Sequence, residues 1–226
     1  MIKFHEELIQ GSDEWLAARC GLLTASEMKL IITPTLKVAD NDKTRQHLWE
    51  LLAQRVTQYV EPHYISDDMM RGHADEIEAR ALYNKHYAQV KEVGFITRDD
   101  WGFTIGYSPD GLVGDDGQIE CKSRRQKYQM EAIVEDKVPD EYTMQVQTGL
   151  LVTGRKWCDV IIYCGGMHMT TIRVLPDPVT QVAIVTAATA FEVKLAEKLA
   201  IYREAIASPT RRLILTERRI EMEMTI

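Results

Sequence analysis

The sequence predicts a mixed α/β (α+β) fold on three observations. Capped, amphipathic helical segments fill most of the chain before Val90. From Val90 the pattern changes to short β-rich runs separated by polar turns. A further helical segment then stands between two groups of strands, and a long one closes the chain. Alternation of this kind gives a central mixed sheet flanked by helices. With 226 residues, of which 45% are hydrophobic, the chain can bury one substantial core. One domain spanning 1–226 is therefore expected.

The elements follow in order. Gly11-Ser12-Asp13-Glu14 opens a helix that runs to about Arg19, with Ser12 as N-cap and acids in the first turn. Gly21 breaks it. Thr24-Ala25-Ser26-Glu27 fits the capping box, so a second helix is expected to start there. The polar segment 35–44 reads as a loop. Residues 45–60 read as an amphipathic helix ended by Pro62, and 75–86 as another, preceded by Gly72. Residues 92–97 and 102–108 look like strands flanking Arg98-Asp99-Asp100. Asp115-Asp116-Gly117 is a hairpin turn, and 118–122 is the returning strand. The hairpin thus spans about 102–122. Helix 141–152 comes next, then a buried strand over 157–164, a Gly165-Gly166 turn and a strand over 169–174. A long helix over 181–207 is stopped by Pro209.

The formal net charge of -7 argues weakly against a nucleic-acid partner, since phosphate binding needs a basic footprint. Distribution matters more than the sum. Arg124, Arg125 and Lys127 form one basic group, and Arg211, Arg212, Arg218 and Arg219 another, which reads equally well as solvated surface. Cys20, Cys121, Cys158 and Cys164 have neither Cys-x-x-Cys nor zinc-finger spacing, so four free thiols in a reducing cytoplasm are expected. The first residues lack the basic and apolar regions of a secretory signal. No apolar run is read as reaching the roughly 18 residues of a membrane span, the most apolar stretch being 179–190. No membrane partner is expected.

The chemistry concentrates in one stretch. Ser108-Pro109-Asp110-Gly111-Leu112 is followed across the turn by Ile119-Glu120-Cys121-Lys122. Side chains two apart on a strand share a face, so Glu120 and Lys122 point one way and Ile119 and Cys121 the other. The hairpin brings Asp110 close to the first pair. Carboxylate oxygens suit a hard divalent cation such as magnesium. A metal between Asp110 and Glu120 would lower the pKa of a bound water and polarise a phosphodiester, and a second would stabilise the leaving oxygen. Lys122 would orient the attacking water or offset charge in the transition state. The same spacing also fits a surface Glu120–Lys122 pair beside a loop aspartate.

The Asp…Glu-x-Lys hairpin after N-terminal helices resembles the PD-(D/E)XK nucleases, and in particular the phage lambda exonuclease family. Five pieces match that family in its order. They are Trp15 to Arg19 leading into Gly21-Leu22-Leu23-Thr24-Ala25-Ser26; Gly72 with Glu76; Ser108-Pro109-Asp110-Gly111-Leu112; Glu120-Cys121-Lys122; and Gln145-Val146-Gln147. The match covers about 11–157, and the last third of the chain carries no matching motif.

The resemblance implies a restriction-endonuclease-like core and a magnesium-dependent 5′-to-3′ exonuclease on double-stranded DNA ends. Such an enzyme uses two Mg2+ ions, with Mn2+ able to substitute. Asp110, Glu120 and the backbone carbonyl of Cys121 would ligate the metals, and Lys122 would act on the water. Glu76 would position a metal-water, and Gln145 would help hold that water or the lysine. Arg19, Ser26 and Ser108 would grip the 5′ phosphate, with Arg124 or Arg125 completing the grip. It further implies a homotrimeric ring, a single-strand annealing protein that receives the 3′ overhang, and a phage or prophage origin in a bacterial cytoplasm. Plainer roles fit the same residues. Ser26 suits a helix cap, Arg19 a partner for acids at a helix end, Glu76 an i,i+4 pair with Arg80, and Gln145 a surface amide. Trp15 reads as core. The alternative activity is a structure-specific endonuclease or repair nuclease with the same core.

Overall fold

A computed structural model of the chain describes residues 1–62 and 66–218. The element order is β1 (Ile2–His5), α1 (Asp13–Arg19), β2 (Leu23–Thr24), a 3-10 turn (Ala25–Leu30), α2 (Asp42–Thr57), α3 (Asp67–His86), β3 (Val90–Lys91), β4 (Phe95–Arg98), β5 (Ile105–Tyr107), β6 (Gly111–Val113), β7 (Gly117–Ser123), α4 (Gln126–Glu135), a short 3-10 turn (Asp140–Tyr142), α5 (Thr143–Thr153), β8 (Trp157–Tyr163), β9 (Thr170–Val174) and α6 (Pro178–Ala207). The mixed α/β class predicted from the sequence is the one formed. Arg219 of the second basic group lies outside the described residues.

The strands form two sheets rather than one. The first has the order β1-β4-β5-β2 and the second β3-β6-β7-β8-β9. Each contains one parallel pair, β2 with β5 and β7 with β8, so both are mixed. The 102–108 segment was expected to pair with 118–122 across the hairpin. Instead β5 joins the first sheet, and β6 is the strand that turns into β7. Asp110 therefore sits where the chain crosses from one sheet to the other.

Strands β7 and β8 are covered on both faces, and β8 is accordingly apolar throughout except for Asp159. Ile119, Cys121 and Ile161 pack with Ala79 and Tyr83 of α3. Cys158, Val160 and Ile162 pack with Ala132 of α4 and Val146 and Leu150 of α5. The largest cluster joins the first sheet, through Ile96 and Ile105, to Leu48 and Leu51 of α2 and Ile184, Phe191 and Leu195 of α6. A polar clamp ties these layers. Arg55 of α2 donates to Gly21 O at 2.8 Å and holds Glu192 of α6 with two bonds of 2.8 and 2.7 Å. Gly21 has a φ of 70°, and a Cβ there would lie 2.6 Å from Arg55 Cγ, so glycine alone suits the turn.

Several boundaries differ from expectation for identifiable reasons. Thr24 makes no capping bond, and its hydroxyl goes to Glu27 at 2.5 Å, so the turn that follows is 3-10 rather than α. Helix α2 starts at Asp42 because Asn41 caps Thr44 N at 3.1 Å. Helix α3 starts at Asp67, capped by Ser66, and runs through Gly72 rather than after it. Strand β1 was not anticipated; it is fixed by pairing with β4. Helix α4 was also missed: Arg125 gives no side-chain cap and the first turn has no acid. Helix α6 begins three residues early, at Pro178 in its first turn after the Asp177 cap. The expectation of no membrane-length apolar run is corrected as well. An 18-residue window of α6 reaches a mean hydropathy of 1.3, enough by length and composition to cross a membrane. One face of that helix is nevertheless core.

Ile184→Ala is expected to lower the unfolding free energy by about 2–5 kcal/mol, because Ile184 is fully buried. Val182→Ala, on the exposed face of α6, should change it by less than about 0.5 kcal/mol. Urea titration of both variants reads the difference.

Candidate active site

Antiparallel pairing of Gly111 with Ile119 sets Asp110 beside Glu120 at the open end of the β6–β7 hairpin. The alternation of β7 turns Ile119 and Cys121 towards α3, and leaves Glu120 and Lys122 on the α5 side. Asp110 Oδ2 accepts the backbone N–H of Cys121. Glu120 Oε1 accepts Lys122 Nζ at 2.7 Å and Gln145 Nε2, while Oε2 accepts the Tyr107 hydroxyl at 2.7 Å. Lys122 Nζ also donates to Gln145 Oε1 at 3.1 Å. Gln145 is thus no surface amide. Glu76 of α3 does make the i,i+4 pair with Arg80, at 3.1 Å, and Arg80 in turn donates to Asp110 O at 3.2 Å. That pair is largely buried, and its glutamate belongs to the cavity wall.

The opposite wall comes from the N-terminal region. The Arg19 guanidinium lies 4.2 Å over the Trp15 ring. It reaches Ser108 Oγ and Thr24 Oγ1, each at 3.4 Å. Trp15 Nε1 donates to Ser108 Oγ at 2.9 Å and to Gly94 O at 3.1 Å. Among the described residues Arg19 has no ion pair, so the anticipated pairing with nearby acids is absent. Ser26 is exposed in the 3-10 turn, 3.3 Å from Thr24 Oγ1, and caps nothing.

Both walls enclose one cavity of about 360 Å³. Of the anticipated residues, Arg19, Ser26, Glu76, Ser108, Asp110, Glu120, Cys121, Lys122 and Gln145 all line it. Arg124 and Arg125 do not. Arg124 is held by Glu141 and Tyr142, with its guanidinium over the rings of Tyr128 and Tyr142. Gln10, Trp15, Tyr107 and Ser123 line the cavity without having been anticipated. Trp15 was readable, since it stands four residues before Arg19 on the same helix face. Tyr107 directly precedes the Ser-Pro-Asp-Gly run. Gln10 carried no comparable signal.

Charge is crowded here. Burial raises the Asp110 carboxyl well above the usual range, and Glu120 and Glu76 add to the effect. Burial likewise raises Glu76, opposed by Arg80. Burial works against the Lys122 charge, but Glu120 and Asp110 outweigh it and hold the ammonium above the ordinary lysine value. Burial lowers Arg19, partly offset by Glu27. No closed set of three His, Cys, Asp or Glu ligands exists among the described residues. The donor set nonetheless fits a hard cation: the carboxylates of Asp110, Glu120 and Glu76 share one cavity, and added positive charge would relieve their repulsion.

The sequence over residues 14–156 matches the family described as the YqaJ-like viral recombinase domain. The chain belongs to that family. It is therefore a nuclease, related to the lambda exonucleases, and the relationship points to an exonuclease acting on DNA with a divalent metal. An alkaline exonuclease, LHK-Exo, from Laribacter hongkongensis has a similar structure, at 32% identity and a TM-score of 0.77. The match covers 87% of this chain and 98% of that one. The same enzyme in complex with dAMP gives a TM-score of 0.78 with equal identity and coverage. A phage-related exonuclease from Haemophilus somnus 129PT shares the fold alone, at 14% identity and a TM-score of 0.55 over 79% of this chain and 96% of that one. No curated protein matches the sequence.

The charge crowding has a stability consequence. An aspartate raised in the folded state keeps its proton after the unfolded chain has lost it. Stability of the metal-free protein therefore falls as pH rises from the usual carboxylate range through the folded value. Asp110→Asn removes that loss and still accepts the Cys121 N–H. It should raise Tm increasingly above the usual carboxylate range and leave it unchanged below. Thermal melts in chelator across pH check this.

Proposed function

We propose that this chain is a magnesium-dependent 5′-to-3′ exonuclease on double-stranded DNA ends that releases 5′ mononucleotides. The observation that carries the reading is the shared cavity. The Arg19 guanidinium, which has no ion pair among the described residues, opens with the Ser108 and Ser26 hydroxyls onto the same space as Asp110, Glu120 and Lys122. The first group suits a terminal phosphate dianion. The second suits hydrolysis of the next phosphodiester.

The 5′ phosphate is gripped by Arg19, Ser26 and Ser108, which sets the register at one nucleotide. Trp15 stacks on the Arg19 guanidinium and donates to Ser108, so it keeps both donors aimed. Asp110, Glu120 and the Cys121 carbonyl would hold Mg2+, as two ions, with Mn2+ as substitute, and Glu76 would position water at the same place. Divalent cations held there would supply Lewis-acid polarisation of the scissile phosphate and of the attacking water. Lys122, charged and tethered by Gln145, orients that water by hydrogen bonding. The water oxygen bonds to phosphorus as the P–O3′ bond of the terminal nucleotide breaks. The freed O3′ takes a proton, and the shortened strand keeps the new 5′ phosphate. The LHK-Exo complex with dAMP, a deoxynucleoside monophosphate, supports this product class.

The repeated cycle leaves a 3′ overhang for a single-strand annealing protein. The enzyme works as a single nuclease domain over 1–226, in a homotrimeric ring around DNA, within a bacterial cytoplasm and from a phage or prophage.

The test is digestion of linear duplex DNA with Mg2+. The wild type should degrade 5′-phosphorylated ends faster than 5′-hydroxyl ends and spare closed circles. Lys122→Ala should lose on the order of 10²–10⁴ in rate on every substrate. Arg19→Ala should slow phosphorylated ends to the hydroxyl-end rate. Cutting of closed circles would replace the proposal with a structure-specific endonuclease.

A further inference from the structure

We propose that Tyr107, backed by Gln118 and Thr153, is a positioning residue that aims the Glu120 carboxylate at the metal position. The inference rests on the reading of Glu120 as a metal ligand and adds a residue for which that reading has no role.

Glu120 is 1% exposed, so its two oxygens depend on protein donors. Oε1 has two, Lys122 and Gln145. Among the described residues Oε2 has one, the Tyr107 hydroxyl at 2.7 Å. A carboxylate only accepts, and this fixes the sense of the whole chain behind it. Tyr107 donates to Glu120, so its oxygen is free to accept Gln118 Nε2 at 3.3 Å. The amide then turns Oε1 the other way, where it accepts the Thr153 hydroxyl at 2.7 Å. Each of these three side chains is buried, so no water competes with the relay.

Helix α5 organises both oxygens. Gln145 supplies a donor to Oε1. Gly149, one turn later, makes room for the donor to Oε2: a Cβ there would lie 2.7 Å from Tyr107 Cζ and 2.9 Å from Gln118 Nε2. Glycine is disfavoured inside a helix. Here it lets the tyrosine ring slide between α5 and β7. Thr153 follows one turn after Gly149 and closes the relay. Removing the Tyr107 hydroxyl leaves Oε2 without its donor. Glu120 can then turn towards Lys122 and Gln145, away from the cavity.

Tyr107→Phe keeps the ring and deletes the hydroxyl. Mn2+ binding to the full chain is measured by electron paramagnetic resonance, and nuclease rate is measured against Mg2+ concentration. The expected result is roughly 10–100-fold weaker Mn2+ binding, with a parallel rise in half-saturating Mg2+ and turnover restored at saturation. Thr153→Val, which leaves the tyrosine in place, should give a smaller shift in the same direction and stands in if Tyr107→Phe fails to fold. Wild-type Mn2+ affinity in both variants would overturn the proposal. So would a loss of turnover with unchanged metal dependence, which marks a merely structural tyrosine. If the wild type fails to digest DNA ends but the variants still weaken Mn2+ binding, the exonuclease reading falls and the positioning role stands. A wild type that binds no Mn2+ overturns the positioning role whatever the nuclease assay reads.

Discussion

Two carboxylates with little access to water, Asp110 and Glu120, lie side by side at the mouth of the β6–β7 hairpin, with Glu76 behind them. Their repulsion is the constraint that the surrounding structure answers. Lys122 supplies one positive charge and Arg80 another, and Tyr107, Gln145 and the Cys121 N–H supply neutral donors. A site built only for stability would use apolar residues here, since buried charges rarely repay their desolvation. The residual negative charge makes sense for a site that receives cations. Hydrolytic function is the reason a fold would carry that strain.

Placement of these groups depends on the junction between the two sheets. Asp110 lies on the link from β5 to β6, so both sheets must be in position before it meets Glu120. The clamp of Arg55 on Gly21 and Glu192 holds α1, α2 and α6 together around the first sheet. A second clamp works on the other sheet. Tyr83 of α3 donates to Asp159 at 2.6 Å, and Arg173 of β9 pairs with the same carboxylate at 2.7 and 2.8 Å. It fixes α3, and with it Glu76, against β8. The Arg19 wall and the carboxylate wall therefore belong to different layers. The cavity exists only because those layers pack at a fixed distance.

Much of the site was legible because it is local. Glu120 and Lys122 share a face by the two-residue period of a strand, and Asp110 is joined to them by one hairpin. Ordered motifs then tied Arg19, Ser26, Glu76, Ser108 and Gln145 to the same place, and all of them line the cavity. The misses are those whose role needs contacts from far along the chain. Tyr107 and Gln118 look like ordinary strand residues until α5 is packed on them. Trp15 looks like core until Gly94 and Ser108 accept its indole N–H. Arg124 looked like a phosphate ligand, but Glu141 and two tyrosine rings claim it.

The sequence by itself determined the mixed α/β class, the hairpin, most helices and the family, because these depend on caps, turns and short-period patterns. It left open where strands change partners: β5 and β6 are only a few residues apart, yet pairing energies across the whole sheet assign them to different ones. It was silent on β1, which has a partner only through β4, and on α4, which starts without a cap. Tertiary structure alone decided that the guanidinium of Arg19 and the carboxylates of Asp110 and Glu120 open onto one space. That outcome depends on packing between layers distant in sequence, which no local period encodes.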